Sequence, residues 1–128
     1  MFETREQNIT PENIQKLVRT FYPTILSDEI VGPFFIEKIG ADIKSKKWQI
    51  HLELLSNFWA SMALGDTDYQ GNPLAVHFDM PGISREAFER WLELFHQAVD
   101  KVYNSKSGDF FKERSTHIAG NFMRNLGL

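Results

Sequence analysis

The sequence predicts an all-α protein built as a single domain. Apolar residues recur at helical spacing along most of the 128 residues, and an alternating strand pattern is almost absent. A chain of this length with 42% hydrophobic and 13% aromatic residues buries one core, but not comfortably two. We therefore expect a bundle of four main helices, with one shorter helical turn and one long irregular loop.

The first helix is predicted to begin after Thr10, because threonine is a favourable N-cap and Pro11 suits the first turn. Pro23 predicts a kink near Tyr22, since proline cannot donate the helical hydrogen bond. The helix extends to about Leu26, and its apolar face contains Ile14, Leu17, Val18, Phe21, Tyr22 and Ile25.

A short helical turn is predicted from Val31 to about Gly40, where glycine is a typical helix stop. Asp42 is then predicted to cap a longer helix that ends at Gly65. The apolar face of this helix contains Trp48, Leu52, Leu55, Phe58, Trp59 and Met62. Residues 65–82 mix Asp, Gly, Asn and Pro, which predicts a loop of a length that is often functional.

Two helices are predicted in the last third of the chain. Ser84 is a plausible N-cap for the first of them, and residues 104–108 interrupt its apolar stripe. The last helix is predicted to begin at about Asp109 and to end at Gly127. The first stripe contains Phe88, Trp91, Leu92, Phe95, Val99 and Val102, and the second Phe110, Phe111, Ile118, Phe122 and Leu126.

Composition excludes several classes of protein. Without cysteine, the chain has no disulfide framework, thiolate nucleophile, cysteine-rich zinc site or iron–sulfur cluster. A net charge of −3 gives no basic field for a phosphate backbone, which argues against nucleic acid as a partner. The first residues are too charged for a secretory signal, and no apolar run approaches the roughly 20 residues that span a bilayer. We expect a cytoplasmic protein without a membrane partner.

Familiar enzyme motifs are also absent. The four histidines lie at least 19 residues apart, so none forms the i, i+4 pair of helical zinc sites. There is no Gly-rich phosphate loop and no Gly-x-Ser-x-Gly elbow. Haem fits what remains, because it brings its own reactivity and needs one histidine, an apolar slot and a few polar groups. His77 is the candidate, since it lies alone in an apolar run that ends at Pro81.

Seven separated stretches of the chain carry a family resemblance. They are Phe21-Tyr22, Gly32-Pro33-Phe34-Phe35, Trp48-Gln49-Ile50-His51, Asn57-Phe58-Trp59, Gly71-Asn72-Pro73-Leu74, His77-Phe78-Asp79-Met80-Pro81 and Trp91-Leu92-Glu93-Leu94-Phe95. In this order they resemble truncated haemoglobins of the third group, over about Gln15 to Phe122. The near absence of a leading helix before Thr10 agrees with that group. The resemblance implies a two-over-two helical sandwich with a long loop that carries the proximal histidine.

The same resemblance implies haem b as the cofactor and His77 as its iron ligand. Taken alone, a loop histidine is more often a surface or packing residue. The implied apolar walls of the haem slot are Phe35, Leu55, Phe58, Trp91 and Phe95. Spacing favours Phe35 over its neighbour Phe34 as the haem-packing phenylalanine.

Tyr22, His51 and Trp91 are implied as the residues that contact a diatomic ligand. The phenol O–H and the indole N–H are donors suited to a ligand atom that gains negative charge. His51 lies on one helix face with Leu55 and Phe58. On the residues alone, Tyr22 and Trp91 fit equally into a core, and His51 fits a partly exposed helix surface.

The implied function is reversible binding of oxygen, nitric oxide and carbon monoxide. One alternative is a haem enzyme with peroxidase-like or nitric oxide dioxygenase activity, which requires an electron-donating reductase. Another is a cofactor-free helical interaction module, in which His77 and Trp91 are structural and the protein is colourless.

Overall fold

The computed structural model describes residues 5–65 and 80–128, and within these ranges it contains five helices and no strand. The helices are α1 (Pro11–Ser27), α2 (Gly32–Lys38), α3 (Lys46–Leu64), α4 (Arg85–Val102) and α5 (Ser105–Asn125). This confirms the predicted all-α class. His77 and almost all of the predicted loop lie outside the described residues.

Helix α1 begins as predicted, with a reciprocal pair of capping hydrogen bonds. The backbone N–H of Asn13 donates to the Thr10 hydroxyl at 3.2 Å, and the Thr10 N–H donates to the Asn13 side chain at 2.9 Å. The helix continues through Pro23 to Ser27. Its buried face carries Phe21 and Tyr22 into the core.

The start of α3 differs from the prediction. Ser45, not Asp42, is the N-cap, because its hydroxyl accepts a hydrogen bond from the Trp48 N–H at 3.2 Å. Asp42 instead accepts from the Lys44 N–H at 3.0 Å and stabilises the turn before the helix. Both residues have side chains that cap helices, so composition alone did not distinguish them.

The last helix also begins earlier than predicted. Ser84 caps α4 as expected, but α5 begins at Ser105 behind an Asn104 cap, and not at Asp109. Gly108 lies inside α5, at a point where its missing side chain lets α4 and α5 approach closely. A Cβ at this position would lie 3.0 Å from the Val99 side chain of α4.

The two layers of the sandwich follow from the helix contacts. Helix α1 packs on α3 in one layer, α4 packs on α5 in the other, and α1 contacts α4 across the interface. Residue Glu6 pairs with the junction between α4 and α5, through backbone hydrogen bonds with Val102 and Asn104. Among the described residues, no helix is long and apolar enough to cross a membrane.

Candidate ligand-binding site

Tyr22, His51 and Trp91 come from α1, α3 and α4 and converge in the interior. Tyr22 and Trp91 are each 1% exposed, and His51 is partly buried. The ring centroids of Tyr22 and His51 are 6.5 Å apart, and the ring of Phe21 lies 4.7 Å from that of Tyr22 and 5.5 Å from that of Trp91. We call Tyr22, His51 and Trp91 the polar cluster. The sequence predicted all three as ligand contacts, and the fold brings them together.

The hydroxyl of Tyr22 is a neutral group. Burial raises the pKa of Tyr22 well above its ordinary value, and the nearby indole N–H of Trp91 offsets only part of that rise. Because an indole N–H only donates, Trp91 leaves the O–H of Tyr22 available as a donor.

The imidazole of His51 is neutral as well. Burial lowers the pKa of His51 from 6.5 to about 4, since a charged ring loses its hydration there. At neutral pH one ring nitrogen carries a hydrogen and the other accepts. His51 can thus donate or accept a hydrogen bond without bringing a charge into the site.

The packing of Trp48 against the polar cluster was missed at the sequence level, where Trp48 was one apolar residue of a helix face. Its ring centroid lies 5.8 Å from Tyr22 and 5.7 Å from His51. It also stacks on Phe35 at 6.4 Å with an angle of 21° between the planes. The i, i+3 spacing of Trp48 and His51 on α3 was a signal that the two rings are neighbours.

The predicted apolar walls occupy two adjoining groups of rings. Phe35 is 2% exposed and lies 6.2 Å from Tyr22, beside the polar cluster. Phe95 stacks on Trp91 at 5.2 Å and on Trp59 at 5.4 Å.

The remaining wall residues lie on α3. Phe58 is partly buried and contacts Trp59, with ring centroids 5.5 Å apart. Leu55 is fully buried, one helical turn beyond His51.

Phe34 has a different environment from its neighbour Phe35. It is partly buried and lines a cavity of about 190 Å³ together with Glu37, Lys38, Met80 and Pro81. Met80 and Pro81 are the last two residues of the run that contains His77. The described part of the predicted loop therefore borders a cavity beside α2 that has both apolar and charged lining residues.

His77, the predicted iron ligand, is outside the described residues, so its role stays a prediction. Within residues 5–65 and 80–128, no group of three histidine or acidic side chains is arranged to hold a metal ion. The donors of the polar cluster are neutral and surrounded by aromatic rings. This chemistry fits a flat apolar cofactor with one small polar ligand, and it does not fit a hydrated cation.

An ion pair joins the helices that carry Tyr22 and Trp91. The Arg90 guanidinium donates to the Asp28 carboxylate at 2.9 Å, and the Asp28 side chain is 7% exposed. Asp28 also accepts from the backbone N–H groups of Ile30 and Val31, each at 3.0 Å. The end of α1 is thereby fixed to α4 one residue before Trp91.

Comparisons with known proteins agree with this architecture. The bacterial-like globin family model matches residues 8–123. The group 3 truncated hemoglobin of Campylobacter jejuni is 38% identical over 120 residues, covering 94% of this chain and 93% of that protein. The crystal structure of the group III truncated hemoglobin from Campylobacter jejuni superposes with a TM-score of 0.85 at 37% identity, covering 96% of this chain and 95% of the other.

These matches confirm the predicted resemblance to truncated haemoglobins of the third group and the predicted fold class. The chain belongs to the bacterial-like globin family.

Proposed function

We propose that this protein holds haem b through His77 and reversibly binds oxygen and other diatomic ligands beside Tyr22, Trp91 and His51. Membership of the globin family implies haem and a diatomic gas in general terms. The finer proposal is supported by one observation, the convergence of three neutral hydrogen-bonding side chains in a buried aromatic enclosure.

Haem, when bound, would supply the iron that takes the diatomic ligand, and His77 would hold that iron. Tyr22 contributes an O–H that donates to the ligand atom that gains negative charge. The indole N–H of Trp91 lowers the pKa of Tyr22, and we assign to Trp91 the role of orienting the Tyr22 hydroxyl before the ligand arrives. A donor that is already oriented and shielded from water slows ligand escape, because escape breaks a bond that water does not replace.

The apolar residues around the polar cluster contribute by excluding water. Phe35 is 2% exposed and lies 6.2 Å from Tyr22, and Leu55 is 0% exposed, one helical turn beyond His51. A dry pocket strengthens each hydrogen bond to the ligand and disfavours the charged products of iron oxidation. Burial leaves His51 neutral, which keeps a competing positive charge out of the pocket.

Oxygen binding is tested on the reduced protein by recording its absorption spectrum under oxygen and then under carbon monoxide. We expect a stable oxygen complex that carbon monoxide converts fully and that reappears on re-equilibration with oxygen. Immediate irreversible oxidation would contradict the proposal.

The enzymatic alternative predicts a different result when the same protein is assayed for turnover. Steady consumption of an electron donor with peroxide or nitric oxide, through an added reductase, would favour the peroxidase-like or dioxygenase activity. A cytoplasmic location stays a prediction from the sequence.

A further inference from the structure

Trp48 packs against two of the three members of the polar cluster. Its side chain is 0% exposed, and its ring centroid lies 5.8 Å from Tyr22 and 5.7 Å from His51. Its other neighbour is Phe35, on which it stacks at 6.4 Å. All three separations fall in the range of favourable aromatic pairs. The orientation of Trp48 therefore determines the surface that Tyr22 and His51 rest against.

One hydrogen bond fixes this orientation. The indole N–H of Trp48 donates to the carbonyl of Gly40 at 2.7 Å, in the segment between α2 and α3. The residues on either side, Lys47 and Gln49, also donate to backbone carbonyls of residues 38–43, at 3.0 and 2.9 Å. Three successive side chains thus tie the start of α3 to this segment, and Trp48 is the buried one.

We infer that Trp48 is a positioning residue, which uses its bond to the Gly40 carbonyl to hold the rings of Tyr22 and His51 in the orientation that meets a diatomic ligand. The inference rests on the proposed function for the identity of the ligand. A planar ring held at one edge by a short hydrogen bond cannot rotate without breaking that bond. Without the bond, Trp48 samples more orientations, and the rings packed on it do the same.

Trp48→Phe keeps an aromatic ring and removes the N–H that anchors it. Tyr103→Phe is the matched control, because Tyr103 is 0% exposed and its ring also loses one buried hydrogen bond, to the Asn13 side chain at 2.6 Å, outside the polar cluster. We expect Trp48→Phe to shift the C–O stretching band of the carbon monoxide complex in the direction that Tyr22→Phe shifts it. Oxygen dissociation should become about threefold to tenfold faster, the range for one weakened hydrogen bond. Tyr103→Phe should leave both values at wild type.

A second variant weakens the hydrogen bond between Trp48 and the Gly40 carbonyl without opening a cavity. Gly40 has a φ of +126°, and a Cβ added there would meet no atom within 4 Å, so Gly40→Ala introduces backbone strain but no clash. The strain displaces the carbonyl that Trp48 binds. Gly65→Ala is its control, with a φ of +75°, the same open space and a position at the other end of α3. Gly40→Ala should reproduce the band shift of Trp48→Phe, and Gly65→Ala should not.

Titration of His51 gives a readout that does not depend on bound haem. Histidine ring resonances are followed against pH in the chain as purified, reduced under carbon monoxide so that any haem iron is diamagnetic. The pKa of His51 should rise from about 4 toward 6.5 in Trp48→Phe and Gly40→Ala, because the imidazole becomes more accessible to water when Trp48 changes its orientation. The two controls should titrate as wild type.

The outcomes separate this inference from the proposed function. If the wild type takes up no haem while His51 titrates as expected in all variants, the proposed function fails and the positioning role stands. If Tyr22→Phe shifts the C–O band but Trp48→Phe and Gly40→Ala match the wild type in both readouts, the positioning role is overturned and the proposed function stands.

Discussion

Replacing Tyr22 with phenylalanine removes one hydroxyl from the polar cluster and leaves the ring in place. Tyr22 is 1% exposed, so water does not compete for the hydrogen bond that this hydroxyl donates to the ligand. Hydrogen bonds with a charged partner contribute about 1.5–3 kcal/mol, which corresponds to about tenfold to hundredfold in a rate. We expect oxygen to dissociate faster from Tyr22→Phe by that factor, measured by stopped-flow displacement with carbon monoxide.

Trp91→Phe is expected to have a smaller effect, because in the proposed function the indole only orients the Tyr22 hydroxyl. A neutral hydrogen bond contributes about 0.5–1.5 kcal/mol, so oxygen dissociation should rise about twofold to tenfold. When Tyr22 is already phenylalanine, Trp91 has no hydroxyl to orient. The double variant should therefore dissociate oxygen less rapidly than the product of the two single effects predicts.

Tyr103→Phe is the matched control for the loss of a buried hydroxyl. Tyr103 is 0% exposed, and its hydroxyl donates to the Asn13 side chain at 2.6 Å, outside the polar cluster. Its loss should lower the free energy of unfolding by about 1 kcal/mol and leave oxygen dissociation unchanged. The reasoning is refuted if Tyr22→Phe leaves the oxygen dissociation rate at wild type, or if the two single effects multiply fully.

Stability measurements test other parts of the structure. Because burial lowers the pKa of His51 from 6.5 to about 4, the unfolded chain binds the proton more readily, and the free energy of unfolding should fall as pH drops through that window. In thermal melts, the stability of His51→Gln should fall less steeply with decreasing pH than that of the wild type. Identical pH profiles of the two proteins would count against a buried neutral imidazole. Burial raises the pKa of Asp28, but hydrogen bonds from backbone amides and Arg90 bring it below 3.8. Asp28→Asn should therefore cost about 1.5–3 kcal/mol at neutral pH in urea unfolding. The difference from wild type should shrink as acid protonates the carboxylate below pH 3.8, and a cost independent of pH would exclude the ion pair as its source. Gly108→Val should destabilise by about 1–3 kcal/mol, because it forces apart two closely packed helices. Gly120→Ala, which meets no atom within 4 Å, should stabilise by about 0.5–1 kcal/mol, and equal effects at the two glycines would contradict the close approach.

The fold was predictable because its main signals are local. Apolar residues at helical spacing identified all of the long helices, and the caps at Thr10 and Ser84 hold as predicted. The errors at Asp42 and Asp109 have different causes. Asp42 and Ser45 can both cap a helix, and the tertiary structure selects Ser45. Residues 104–108 have the polar, glycine-containing composition of a loop, although residues 105–108 begin the last helix.

The candidate site was predictable only in part. Tyr22, His51 and Trp91 were found through a family resemblance, and no local pattern places residues of three helices side by side. The contacts of Trp48 with Tyr22 and His51 could not be predicted from the sequence, because they depend on how α1 packs against α3. The hydrogen bond that orients Trp48 is accepted by the backbone carbonyl of Gly40, and a backbone acceptor leaves no pattern in the sequence.

The most direct test of the central claim is haem uptake by the wild type and by His77→Ala, with His117→Ala as a control for an exposed histidine. Each protein is titrated with haemin, reduced and exposed to carbon monoxide while its absorption spectrum is recorded. We predict stoichiometric uptake and a sharp Soret shift in the wild type and in His117→Ala, both lost or altered in His77→Ala. A wild type that takes up no stoichiometric haem, or a His77→Ala variant with an unchanged spectrum, would contradict the account.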